Sequence, residues 1–299
     1  VPQTFFDDFS TRSSFVSETW MALKGMKGHV LNIAPSESEI KANPKLMPPF
    51  LREMTPPQRT AWHQAYDPRN LKMKELEESG KLNGENRPLY IYQRFIKDYI
   101  RCVDGLDDQV GRLLRYLDQA GLKENTIVIY SSDQGFFTGE HGWAEKRWMY
   151  EESFKSPLLM RWPGVIKPGT VIDALVQNID LAPTLLKAAK IEVPVSVHGR
   201  ALQPILSGKS DPSWRKDILY QYFDGGIREK RGPYNMPRHE GVRDQRYKLI
   251  SFYEFNEWEF YDLQEDPSEL NNLIQSPSMQ DQIKRLKQRL IQLKIAYEN

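Results

Sequence analysis

The 299 residues contain one cysteine, Cys102, which excludes an internal disulfide framework and any Cys-rich zinc site. An excess of one charge is missing too, since 41 basic and 40 acidic side chains leave a net charge of +1. Nucleic-acid binding as the main task falls away with it, because following phosphates needs a concentrated basic surplus. No apolar run is long enough to span a bilayer. The opening Val1-Pro2-Gln3-Thr4-Phe5 has neither an initiator Met nor a basic-then-apolar signal segment. Internal repeats and low-complexity tracts are also lacking. What is present is 39% hydrophobic and 11% aromatic residues, enough for a sizeable core, and 27% charged residues for its surface. The length suits one large α/β body with a smaller appendage.

Residues 1 to about 86 are polar and irregular, with Pro48-Pro49 and Pro56-Pro57, and read as loops with short helices over a core. The stretch 36–70, rich in Pro, Glu, Arg and His, reads as surface or a pocket wall. From Pro88 to Gly121 the apolar residues Tyr92, Phe95, Tyr99, Val103, Leu106, Val110, Leu113, Leu114 and Leu117 recur at helical spacing. Thr126–Tyr130 and Pro157–Trp162 read as strands, the first buried on both faces as in a parallel sheet. Helix and strand in alternation predict a doubly wound α/β sheet. A helix follows from Leu181 or Pro183 to Lys190, with Asp180 as N-cap. Past Pro204, aromatic segments at 217–223, 241–253 and 257–263 predict an antiparallel sheet. Met279, Ile283, Leu286, Leu290, Leu293 and Tyr297 share one face of a terminal helix that should cover it.

Chemistry is most legible after the first strand, where ligands of open α/β sheets gather. Asp133 and Gln134 in Ser131-Ser132-Asp133-Gln134-Gly135 place two oxygen donors side by side, which suits Ca²⁺ or Mg²⁺ and suits zinc poorly. Gly135 lets the chain turn away. A glycine-punctuated loop then carries Glu140, His141, Glu145, Lys146 and Arg147. Asp-Gln-Gly by itself describes many ordinary turns; the whole string in register is far more specific.

Ser132-Asp133-Gln134-Gly135, Gly139-Glu140-His141-Gly142 and Lys146 together resemble the second metal-and-sulfate motif of the type I, formylglycine-dependent sulfatases, in the alkaline phosphatase superfamily. Further segments are similar: Tyr150-Glu151-Glu152-Ser153, Arg161-Trp162-Pro163-Gly164, Asp180–Thr184, Gly199–Leu202, Gly241-Val242-Arg243, Tyr247–Ile250, Glu259–Leu263 and Asp266–Asn272. Upstream, Tyr99, Asp107, Val110 and Gly111 fit the helix before the metal strand. The resemblance covers most of 88 to 275, and its texture is that of the N-acetylglucosamine-6-sulfatase and iduronate-2-sulfatase branch with its glycosaminoglycan-degrading bacterial relatives.

The resemblance implies an alkaline phosphatase-like doubly wound sheet, incomplete here, over residues 1–210 and a C-terminal antiparallel-sheet-plus-helix subdomain over 211–299. It implies sulfate ester hydrolysis on a 6-O-sulfated amino sugar or a related glycan. Asp133 and Gln134 would be ligands of Ca²⁺ or Mg²⁺, and Lys146 would touch the sulfate or the bridging oxygen. His141 either orders the loop or meets the substrate. Glu145, Arg147 and His239 would form the substrate wall. Trp143, Trp148 and Trp258 either stack on a sugar or belong to the core.

The family's nucleophile is a formylglycine made from Cys or Ser in Cys/Ser-x-Pro-x-Arg, preceded by an Asp-Asp metal pair, and this chain has no such motif. Cys102 lies in Arg-Cys-Val-Asp; Asp7-Asp8 follows Phe-Phe in a polar opening; in Ser210–Arg215 the arginine is one place too far. The chain is therefore expected to be the C-terminal portion of a sulfatase, inactive alone and needing an N-terminal half to complete the site. The family expectation for location is periplasmic or secreted. Two alternatives stand: a phosphatase or phosphodiesterase of the same superfamily, against which Gln134 in place of His counts, and a non-catalytic fragment.

Overall fold

A computed structural model describes residues 1–13, 15–26, 31–84, 86–208, 211–224 and 236–298. Its α-helices are Glu37–Ala42 (α1), Pro49–Arg52 (α2), Pro56–Glu78 (α3), Asn86–Gln119 (α4), Glu151–Phe154 (α5), Leu181–Ala188 (α6) and Gln280–Glu298 (α7). Its strands are Val128–Ser131 (β1), Phe137–Thr138 (β2), Ala144–Glu145 (β3), Leu158–Arg161 (β4), Asp217–Tyr222 (β5), His239–Asp244 (β6), Tyr247–Phe252 (β7) and Glu257–Asp262 (β8). Two compact units emerge. One holds 1–6, 20–109 and 138–144; the other holds 7–19, 110–137 and 145–299.

In the first unit, Ile40, Leu51 and Trp62 form a small core. The expectation of loops and short helices fails at α3, which runs 23 residues through Pro68. Its start is encoded locally: the Gln58 side chain accepts from the Thr55 backbone N–H at 2.8 Å, and Pro56 and Pro57 fill the first turn. Little of α3 is buried beyond Trp62, His63 and Met73, so no apolar stripe announced it.

Helix α4 matches the expected span, ending just before Gly121 at φ +67°. Its apolar stripe is buried only toward the ends, at Tyr92, Phe95 and Leu117; Tyr99, Val103, Leu106 and Leu113 are exposed.

The larger unit contains the expected four-stranded sheet, antiparallel throughout in the order β5-β6-β7-β8. Val242, Leu249 and Phe260 pack on Ile283, Leu286, Leu290 and Leu293 of α7, as the sequence spacing required. Burying such side chains contributes roughly 1.5–3 kcal/mol each. The expected boundary at 210/211 is not where the compact units part. Ser210 lies outside the described residues, and the C-terminal sheet shares its unit with 7–19 and 145–208.

Strands β1 and β4 form a pair, but the expected parallel, doubly buried arrangement is not what these residues adopt. They run antiparallel, with Val128 opposite Arg161 and Ser131 opposite Leu158. Tyr130 and Leu159 are exposed. The connection explains the direction: between the two strands the only α-helix among the described residues is the four-residue α5, too short for the crossover that parallel neighbours need.

Asp180 precedes α6 as expected, yet its side chain does not cap that helix. Its carboxylate accepts from the Gln177 and Arg200 backbone N–H groups at 2.8 and 2.7 Å and pairs with the Arg215 guanidinium, whose Nη2 lies 2.6 Å from Oδ1. Asp180 is fully buried. Arg215→Met, which strands that charge, is expected to cost about 3–5 kcal/mol in urea unfolding, with much of the loss recovered by adding Asp180→Asn. Equal stability of the single and double variants would count against this pairing.

Candidate active site

Ser153, in the single turn α5, ties the two motif segments together. Its carbonyl accepts the Gly135 N–H at 2.9 Å, and its hydroxyl accepts the Arg147 N–H at 2.8 Å. The Asp133 edge and the lysine loop thus hang on one residue. Gly135 is required by close approach: a Cβ there would lie 2.1 Å from the Glu152 carbonyl oxygen and 2.6 Å from that of Lys155.

Asp133 is exposed and Gln134 half-buried. The Ser132 hydroxyl donates to Asp133 Oδ1 at 3.3 Å, and Asp133 has no basic partner among the described residues. Lys146 is half-buried and likewise has no ion-pair partner among the described residues. Its neighbours differ: Glu145 and Arg147 neutralise each other, with Arg147 Nη1 2.9 Å from Glu145 Oε2. Among the described residues one cation of this turn is therefore left over. Glu145 and Arg147 also hold positive φ, +96° and +100°, so Lys146 is presented between two residues in a strained backbone, at roughly 1–3 kcal/mol each. Neither is Gly or Asn, so nothing in the composition signalled this turn.

His239 lies elsewhere than a substrate wall requires. It is fully buried, its Nδ1 donates to the Pro237 carbonyl at 3.0 Å, and the rings of Trp148, Tyr220, Tyr222 and Phe252 surround it at 5.1 to 5.5 Å. Burial pushes its imidazole down to about 4, against the pull of the Pro237 and Arg147 backbone, so it is neutral. This aromatic box backs the lysine loop, because Tyr220 also donates its hydroxyl to the Arg147 carbonyl at 2.6 Å. His141 belongs to the smaller unit. It is 1% exposed at φ +56°, and its backbone N–H donates to Thr4 Oγ1 at 3.0 Å, a geometry that fits loop ordering.

Trp143 and Trp148 are buried in the core, and the half-buried Trp258 has Lys287 Nζ 4.3 Å over its ring. Asp7 is paired with Arg12 at 2.9 Å and Asp8 accepts from the Ser10 N–H at 2.8 Å, so both are engaged locally. Cys102 is exposed on α4.

The sequence reading missed what lies behind the loop. Lys248 is fully buried; its Nζ donates to the Met149 carbonyl at 2.6 Å and lies 2.9 Å from both Glu151 and Glu269. Glu269 accepts the Glu151 N–H at 2.6 Å. Glu259 accepts from Tyr150 and Tyr261 at 2.8 and 2.9 Å, and burial beside it pushes both phenols well up. The only signal was that these residues sit in family-like segments whose roles the chain itself does not spell out.

A sulfatase family model matches residues 34–191, and one described as N-sulphoglucosamine sulphohydrolase, C-terminal, matches 139–296. The chain belongs to the sulfatase family. An N-acetylglucosamine-6-O-sulfatase of Bacteroides thetaiotaomicron is 35% identical to this sulfatase chain over 303 residues, covering 100% of the chain and 53% of the relative. A solved structure described as a complex with its substrate D-glucosamine-2-N,6-O-disulfate superimposes with a TM-score of 0.90 at 34% identity, over 99% of this chain and 59% of that one. A phosphonate monoester hydrolase from Silicibacter pomeroyi gives 0.63 at 25% identity, over 69% and 42%. The fold is thus alkaline phosphatase-like α/β, and the chain spans about half the length of the curated relative that it matches throughout.

No three His, Cys, Asp or Glu side chains gather to hold a metal among the described residues. A divalent metal is what the family suggests, and the donors present fit one in part: Asp133 and Gln134 offer hard oxygens near the surface. No described helix is long and apolar enough to cross a membrane.

Proposed function

We propose that this chain supplies one side of a sulfate-ester hydrolase site acting on 6-O-sulfated N-acetylglucosamine or a closely similar sulfated amino sugar. One observation carries the reading: Asp133 and Lys146, both without counter-charges among the described residues, sit on segments tied to the same Ser153. Asp133 and Gln134 would hold the cation, which we take to be Ca²⁺. Bound there, the ion would neutralise charge on sulfate oxygens. The Lys146 ammonium would hold the ester's bridging oxygen and counter the charge that grows on it as the leaving alcohol departs. Glu145 pairs with Arg147, which leaves Lys146 without a carboxylate partner among the described residues. The sugar class is supported by the N-acetylglucosamine-6-O-sulfatase relative and by the solved complex with a sulfated glucosamine; a periplasmic or secreted location is the family expectation.

Phosphoryl transfer has weaker support. The phosphonate hydrolase likeness is lower, and Gln134 supplies an amide where that chemistry commonly uses histidine. The nucleophile motif is absent from these 299 residues, so the isolated chain should bind without turnover. NMR titration is expected to show N-acetylglucosamine 6-sulfate binding at least about tenfold tighter than N-acetylglucosamine, a preference of about 1.4 kcal/mol. Lys146→Ala should erase that preference. Equal affinity for the two sugars, or sulfate release by the pure chain, would contradict the proposal.

A further inference from the structure

We propose that Lys248 and Glu269, both fully buried, are positioning residues that set the geometry of the Asp133 and Lys146 segments from behind. The inference rests on the site reading above for its purpose, and on geometry for its substance. Four polar anchors of residues 149–151 come from the C-terminal sheet and the turn that follows it. Lys248 on β7 takes the Met149 carbonyl, Glu269 takes the Glu151 N–H, and Glu259 on β8 takes the Tyr150 hydroxyl. Arg243 on β6 reaches the Glu151 carboxylate at 3.3 Å. Gly241 on β6 lets the Met149 side chain lie flat against the sheet, since a Cβ there would come 2.3 Å from its sulfur.

Two residues past Glu151 stands Ser153, which holds Gly135 with its carbonyl and Arg147 with its hydroxyl. The path is short and covalent at its centre: Lys248 and Glu269 fix 149–151, the single turn of α5 carries that placement to Ser153, and Ser153 fixes both site segments. A buried lysine shared by two carboxylates and a carbonyl is a costly way merely to fill a core, because apolar residues of similar volume often stabilise as well or better. What the ions provide and a hydrocarbon cannot is a fixed acceptor for the Glu151 N–H and a fixed donor for the Met149 carbonyl.

Amide hydrogen exchange on the 299-residue chain separates this from a purely structural role. In the wild type, the Gly135, Arg147 and Glu151 amides should be protected and should open together. Lys248→Met with Glu269→Leu removes the charges as a pair and leaves Glu151 paired with Arg243. Protection at Gly135 and Arg147 is expected to fall at least about tenfold, while the β8 amides keep theirs. Glu269→Gln, which retains an acceptor for the Glu151 N–H, should preserve protection at both. Wild-type protection in the double variant would overturn the proposal. So would independent opening of Gly135 and Glu151 in the wild type, which decides the matter even if the double variant does not fold. Adding CaCl₂ and Na₂SO₄ to the wild type tests the site reading separately: no response there removes the purpose and leaves the exchange result standing.

Discussion

Replacing Gly135 by alanine is expected to lower the unfolding free energy by about 3 kcal/mol and to abolish sulfate binding at the site. The new methyl would sit 2.1 Å from the Glu152 carbonyl oxygen, which is backbone and cannot swing aside. Either α5 or the Asp133 edge must retreat, and the Gly135–Ser153 hydrogen bond breaks in both cases. Gly105 is the matched control. It lies on the exposed middle of α4 with nothing within 4 Å of a built Cβ, so Gly105→Ala should raise stability by about 0.5–1 kcal/mol. Urea unfolding and a sulfate titration on both variants check the contrast. A Gly135→Ala protein as stable and as competent in binding as the wild type would mean that the close approach is unimportant.

Near pH 5.5 the stability should carry two opposing pH-dependent contributions that two single substitutions expose. Burial pushes His239 down to about 4 from an ordinary 6.5, so its contribution is fully present above 6.5 and is lost as pH falls toward 4. Burial raises Glu269 from 4.5 to about 7 against the pull of Lys248. Its contribution has the opposite sign, being fully present below 4.5 and lost as pH rises to 7. Between pH 4.5 and 6.5 the two contributions therefore oppose each other. Relative to the wild type, His239→Phe should then lose stability as pH rises through that window, and Glu269→Gln should lose it as pH falls. Urea midpoints at pH 4.5, 5.5 and 6.5 measure both. Parallel profiles for all three proteins would show that neither group is titrating as its burial dictates.

The sequence carried those parts of the fold whose signal is periodic and local. The α7 stripe from Met279 to Tyr297 and the alternating aromatics of β5 to β8 each had one physical use, and the structure puts them to it. Helix α3 escaped because polar residues cover most of its surface, and its capping sequence at Thr55–Gln58 is four residues long. Strand direction escaped for another reason. A run such as Ile127-Val128-Ile129 is equally apolar whichever way its neighbour runs, and only the short link through α5 decides. At the site, motif spacing survives in one dimension, and it is what nominates Asp133, Gln134 and Lys146 for the proposed roles. The place of His239 could not be read that way, because nothing in Pro237-Arg238-His239-Glu240 shows four aromatic rings arriving from distant positions. Lys248, Glu259 and Glu269 look like ordinary surface charges in a chain that is 27% charged; their burial depends on contacts 99 to 118 residues away.

The central claim is that the oxygens of Asp133 and Gln134 and the ammonium of Lys146 serve one site, and thermodynamic coupling measures this directly. Sulfate affinity of the 299-residue chain, followed by NMR at Gly135 and Lys146, is to be determined with and without Ca²⁺. The account predicts that Ca²⁺ tightens sulfate binding at least about fivefold, that sulfate tightens Ca²⁺ binding by the same factor, and that Asp133→Ala or Lys146→Ala removes the coupling. Sulfate and Ca²⁺ binding that ignore each other in the wild type would contradict it.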